Sequence, residues 1–171
     1  MIRVHRIVDG QLVAETGSRA EALAAACEKD PSWVEVVEPT ESELSALVEG
    51  LDLHRLALED SLRIGHPPKL EEFDDHLFVI AHTPENDDEG GTRKIALFIA
   101  KNWVVTLLRV PLEQADRAFD RIHQTPARYL DPPVRLAHTV FDEMAKGFET
   151  LVEDLSDRIE QLEQDALDDT E

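Results

Sequence analysis

The chain has 171 residues, enough for one domain with a real core and too few for two comfortable ones. With 42% apolar and 32% charged residues, it reads as a soluble globular sequence and not a disordered one. Its 17 Lys and Arg against 37 Asp and Glu give a formal charge of −20, which repels nucleic acid phosphates and anionic lipid surfaces and favours cations, Mg²⁺ and other oxygen-seeking metals among them. Plain solubility accounts for the same acidity.

The single cysteine, Cys27, excludes an intrachain disulfide and sits in an alanine run that reads as buried, which fits a reducing compartment. The N-terminus lacks the long apolar region of a signal peptide, and no window approaches the roughly 18 apolar residues that span a bilayer.

In chain order, alternation over Ile2 to Val8, then Asp9-Gly10, then Gln11 to Ala14 predicts a hairpin. Ser18, with Glu21 as its capping-box partner, opens a helix to about Lys29, stopped by Pro31. Trp33 to Val37 reads as a buried strand. Thr40 and Glu43 make a second capping box, for a helix that Gly50 is expected to end. A short helix over Arg55 to Leu62 places Leu56, Ala57 and Leu62 on its inner face. Strands follow at Lys69 to Phe73 and His76 to Ala81, turning at Asp74-Asp75. The loop Asn86 to Gly91 is polar and the softest point of the chain. Strands at Ile95 to Ala100 and Trp103 to Leu108 are joined by Lys101-Asn102, where Asn tolerates a positive φ. A helix covers Glu113 to His123, and Asp131-Pro132-Pro133 starts a long one to about Asp168. Trp33 and Trp103 are expected in the core.

This order, β-β-α-β-α-α-β-β-β-β-α-α, predicts an α/β fold with a mixed parallel and antiparallel sheet, helices on both faces and a long acidic helix at the end. From Asp142 to Glu171 that helix carries 12 acids, opposed by Lys146 and Arg158. Leu151, Leu155, Ile159 and Leu162 form an apolar stripe along it, which calls for a partner helix.

Several stretches in order resemble the CorA family of magnesium and related divalent-cation transporters. They are Trp33 to Glu41, Leu51 to His54, Leu56 to Asp60, Pro68 to Phe78, Leu97 to Thr106, and the helix with Phe141-Asp142-Glu143 and Asp154 to Glu160. The chain departs from the family pattern at Arg63 to Lys69, where a Gln-Arg-Pro-Lys-like run is usual, and it lacks the pore helix and Gly-Met-Asn signature. The resemblance implies a cytoplasmic regulatory domain over residues 1–130 and the first part of a helical hairpin or stalk over 131–171, without the membrane-spanning region. The full-length protein would be a pentamer in the cell inner membrane with this domain on the cytoplasmic side. The chain alone would be a monomer or weak dimer.

The same resemblance implies that Asp60 is a ligand of a regulatory divalent cation shared with a carboxylate of a neighbouring protomer, and that Glu59 and Asp142 belong to a second, weaker site. The cation would be Mg²⁺, or Zn²⁺, Co²⁺ or Ni²⁺. The alternative for each is an ordinary solvated carboxylate. His54, His66, His76 and His82 invite a zinc reading, but their spacings match no structural zinc motif. No catalytic constellation stands out, since Ser61 beside Asp60 lacks a visible base, so no enzyme is expected. The rival reading is a free-standing acidic α/β module that binds a basic protein partner and no ion.

Overall fold

The computed structural model describes residues 1–8, 11–16, 19–84 and 91–168. The elements are β1 (Ile2–Val8), β2 (Gln11–Thr16), α1 (Ala20–Lys29), β3 (Ser32–Val37), α2 (Glu41–Leu51), α3 (Arg55–Leu62), β4 (Lys69–Glu72), β5 (His76–Pro84), β6 (Thr92–Ala100), β7 (Trp103–Leu108), α4 (Glu113–Gln124), α5 (Pro126–Leu130) and α6 (Val134–Asp168). The strands form one sheet in the order β2-β1-β3-β7-β6-β5-β4. Strands β3 and β7 pair in parallel, with Val34 opposite Val105, and the other pairings are antiparallel. The mixed sheet expected from the sequence is therefore present.

Successive side chains of a strand point to opposite faces, so a strand covered on both sides must be apolar throughout. β3 meets that condition except at Ser32 and Glu35, and the buried Glu35 carboxylate is paired with His5 at 3.0 Å. Val34 and Val36 face a core shared with α1, α2 and α3, through Leu23, Leu47 and Leu58. Trp33 faces a second core built with α4, α5 and α6, through Phe119, Leu130 and Leu136. β6 splits likewise, Ala96 and Phe98 to the first core, Ile95 and Leu97 to the second. Each face thus has its own helices.

Local signals hold where they depend on near neighbours. Thr40 and Glu43 form the capping box of α2. β1 and β2 pair as a hairpin with Val8 opposite Gln11, although Asp9-Gly10 lies outside the described residues. Ser18 and most of the polar loop from Asn86 also lie outside them, and the N-cap position of α1 is Arg19, with no side-chain cap.

Five expectations are corrected. Gly50 does not end α2, which continues to Leu51 and closes on Asp52 at φ 52°. Gly50 is needed inside the helix, because a Cβ there would meet the Ala20 carbonyl oxygen at 2.6 Å. Leu56 is 62% exposed, and Ala57, Leu58 and Ser61 form the buried face of α3. Asn102 takes no positive φ, its carbonyl instead accepting from the Ser32 amide at 2.9 Å. Trp103 is only partly buried, at the edge of the first core, whereas Trp33 is fully enclosed. Finally, a short helix, α5, precedes α6, so Pro132 and Pro133 stand before its first turn, their carbonyls accepting from the Arg135 and Leu136 amides.

Candidate functional site

Asp60 lies near the C-terminal end of α3, where the last carbonyls of a helix lack intrahelical donors and the dipole is negative. The Lys94 ammonium from β6 answers both needs, donating to the Asp60 carbonyl at 2.7 Å and the Arg63 carbonyl at 2.6 Å. Burial pushes the Lys94 ammonium below the ordinary lysine range, offset in part by Asp60. The Asp60 carboxylate accepts a hydrogen bond from Lys69 of β4 at 2.8 Å, and His66 stands 3.4 Å away. The Lys69 bond holds Asp60 below the usual carboxylate range. The chain from Arg63 to Lys69, where the sequence departs from the family pattern, turns at Gly65 with φ 70° and returns Lys69 to Asp60.

Glu59 is one residue away but points elsewhere. It is 62% exposed and pairs with Arg55 at 3.5 Å. It also borders a cleft of about 480 Å³ between α2 and α3, with Leu44, Val48, Leu58 and Leu62 on its apolar side.

Asp142 is on α6, which covers the opposite face of the sheet from α3. It pairs with Arg121 at 3.2 Å and Lys146 at 3.1 Å, and hydrogen bonds from these two cations hold its carboxyl below the usual range. Its neighbour Glu143 is the more buried partner and accepts from Arg121 and Lys146, with Arg117 at 3.6 Å. Burial raises the Glu143 carboxyl, but the two cations outweigh it and the net shift is downward. The fold therefore brings Asp60 and Glu59 onto one helix and leaves Asp142 on another face.

The histidines do not converge. His82 binds the His66 carbonyl at 2.9 Å, His76 binds Asp75 at 2.7 Å, and His54 stacks on Phe73. Among the described residues no group of three His, Cys, Asp or Glu side chains could hold a metal ion. Ser61 donates to the Ala57 carbonyl at 2.7 Å and is buried. Sequence reasoning did not name Lys69, Lys94 or Arg121 as partners of these carboxylates. Their only trace in the sequence is rarity, as cations in an acid-rich chain.

A family model described as CorA-like Mg2+ transporter protein matches residues 28–171. The chain is similar to the cobalt/magnesium transport protein CorA of Thermotoga maritima, 24% identical over 148 residues that span 81% of this chain and 41% of that protein. It thus covers about two-fifths of the length of that curated relative. Among solved structures, the soluble domain of CorA from Methanocaldococcus jannaschii superposes with a TM-score of 0.69 at 19% identity, covering 98% of this chain and 64% of that one. The cytoplasmic domain of ZntB from Vibrio parahaemolyticus superposes with a TM-score of 0.66 at 10% identity, covering 93% and 63%. At these identities the superpositions speak for the fold, and the family match agrees with the resemblance read from Trp33 onward. The chain belongs to the CorA-like Mg²⁺ transporter protein family.

Proposed function

We propose that this chain is the cytoplasmic, divalent-cation-sensing domain of a CorA-type transporter that works as a homo-oligomer in the cell inner membrane. The observation that supports this reading is the family match over residues 28–171, on a fold shared with soluble CorA domains. No described helix is long and apolar enough to cross a membrane, so the pore is assigned to other parts of the full-length protein. In this reading residues 1–130 form the α/β body, and 131–171 the start of the stalk.

Asp60 is the proposed sensor. By itself it is one carboxylate already neutralised by Lys69, which does not make a chelating site. Mg²⁺ gives up its waters reluctantly and keeps most of them at a single ligand. A regulatory ion therefore needs a second carboxylate, supplied by a neighbouring protomer, and must displace Lys69. Two carboxylates brought together repel, and a dication between them removes that repulsion. Ion binding then favours the assembled, closed state by differential affinity. Glu59 and Asp142 are proposed as a weaker second region. Asp142 must release Arg121 or Lys146 before it can bind an ion.

The test is cation flux through the full-length protein in vesicles over a range of internal Mg²⁺. Wild type should be progressively inhibited, and Asp60→Ala should lose much of that inhibition. Absence of any cation flux by wild type would overturn the transporter reading, and identical inhibition curves would remove Asp60 from the sensor.

A further inference from the structure

Against a chain of charge −20, one cavity stands out by its sign. It measures about 410 Å³ and is lined by Arg128, Tyr129, Arg135, His138 and Thr139, with no carboxylate among them. Arg128 and Tyr129 come from α5, the other three from the start of α6. Arg135 is not held by an acid. Its Nη1 donates to the Asp131 carbonyl at 3.1 Å and the Arg128 carbonyl at 3.4 Å, across the turn between the two helices. The Arg128 guanidinium lies 5.6 Å from the centre of the Tyr129 ring. Among the described residues no carboxylate forms an ion pair with Arg128, Arg135 or His138. By contrast Arg6, Arg117 and Arg121 each meet carboxylates.

Two guanidiniums kept together without a counter-charge repel one another unless an anion joins them, and the imidazole beside them offers a further hydrogen-bonding group. Here one exposed guanidinium bonds to backbone carbonyls and the other lies beside an aromatic ring, contacts that orient them without neutralising them. The cavity also opens at the first turn of α6, where the helix dipole is positive and adds to the attraction for an anion. Planar guanidinium forks suit the oxygens of a phosphoryl group better than a point-charge ammonium does. Screening at physiological ionic strength limits the reach of the acids elsewhere on the chain to roughly 8 Å.

We infer that the cavity between α5 and α6 is a binding site for a phosphoryl-bearing anion, recognised by Arg128, Arg135 and His138. The site is separate from Asp60 and does not rest on cation sensing. Its position gives binding a structural consequence. His138 and Asp142 are one turn apart on α6, and Tyr129 interacts with Arg121, the cation that holds Asp142 and Glu143. An occupied cavity would brace α5 against the first turns of the long helix.

The test uses the intact chain. Inorganic phosphate and adenosine monophosphate are titrated separately, with NaCl at matched ionic strength as the control, and binding is followed by calorimetry and by the amide shift of Thr139. Saturable binding of at least one phosphoryl ligand is expected, weakened tenfold or more by Arg128→Ala, with His138→Ala as a second variant. Tighter binding of the nucleotide would point to a nucleotide phosphate as the ligand, and equal binding to free phosphate. Arg128→Ala leaves the carbonyl contacts of Arg135 in place, so its circular dichroism and melting should match wild type. An NaCl effect equal to that of phosphate, or phosphate binding unchanged in both variants, would overturn the inference.

Discussion

Within α6, Leu136, Val140 and Met144 are at most 3% exposed, whereas Leu151, Leu155, Ile159 and Leu162 are 39–67% exposed. Both runs repeat at helical spacing, so periodicity does not separate them. What separates them is cover. The first run lies over Trp33, Leu97 and Phe119. The second run reaches beyond the sheet, and nothing among the described residues covers it. The acids divide in the same way. Asp142 and Glu143 are matched by Arg121 and Lys146, whereas Glu149, Glu153, Asp154, Glu160 and Glu163 form no ion pair among the described residues. An amphipathic stripe thus states a requirement for cover and does not say what supplies it. Under the proposed function, the second run is covered by another helix of the full-length assembly.

The sharpest way to break this comparison is truncation in each run. Leu136→Ala should destabilise the chain by about 2–5 kcal/mol, as expected for a fully buried leucine in a well-packed core. Urea unfolding of the purified chain measures it. A loss below 1 kcal/mol would mean that the first half of α6 is not part of the cooperative core.

Next in size is Glu143. Glu143→Ala removes the buried acceptor that Arg121 and Lys146 share, and since both cations keep Asp142 and stay partly solvated, the cost at neutral pH should be about 1–2 kcal/mol. The folded Glu143 carboxyl is shifted down, so its contribution is fully present above the ordinary glutamate value and is lost as pH falls through the folded value. The gap between wild type and Glu143→Gln in acid melts should therefore shrink below about pH 4. A gap that widens on acidification would contradict the direction of the shift.

At the boundary between the halves, Gly147 packs against β5, where an added Cβ would meet the Thr83 hydroxyl at 2.6 Å. That hydroxyl is buried and donates to the Met144 carbonyl. Gly147→Ala should lose about 1 kcal/mol through crowding, despite the gain in helix propensity. A stabilised variant would show that α6 can lift from the sheet at this point.

The Asp60–Lys69 pair is partly exposed and screened by solvent, so Asp60→Ala should cost the isolated chain no more than a surface ion pair does, the Lys69 bond being its main contribution. Equal loss in Lys69→Ala and in the double variant would confirm that one pair is responsible. Smallest of all, Leu155→Ala and Ile159→Ala should each change stability by less than about 0.5 kcal/mol, because exposed side chains have little burial to lose. A large loss would reveal that the second run is covered in solution by another copy.

The sequence by itself determined what depends on residues a few positions apart. The Thr40–Glu43 capping box, the bounds of α3, the β1–β2 hairpin and the two-residue link between β6 and β7 were all legible, because caps, turns and period are local interactions. The core placement of Trp33 and Val34 also followed, since a strand rich in Trp and Val on both faces needs cover on both, and Glu35 is tolerated there because folding gives it His5 as a partner. Family membership was readable from motifs in order, and Asp60 could be named from that resemblance.

The tertiary structure decided which distant groups meet. The parallel pairing of β3 with β7, the return of Lys69 to Asp60 and the reach of Lys94 from β6 have no local signature. Neither does the grip of Arg121 on Glu143, nor the gathering of Arg128, Arg135 and His138 without an acid. The inward side of α3 was misread at Leu56 for the same reason. Hydrophobic period says that a face must be covered, but the angle at which a helix meets the sheet selects the residues that are. Charge counts behave alike. A total of −20 describes the field far from the chain, and the chemistry of each site depends on the few ions that folding places within reach of one another.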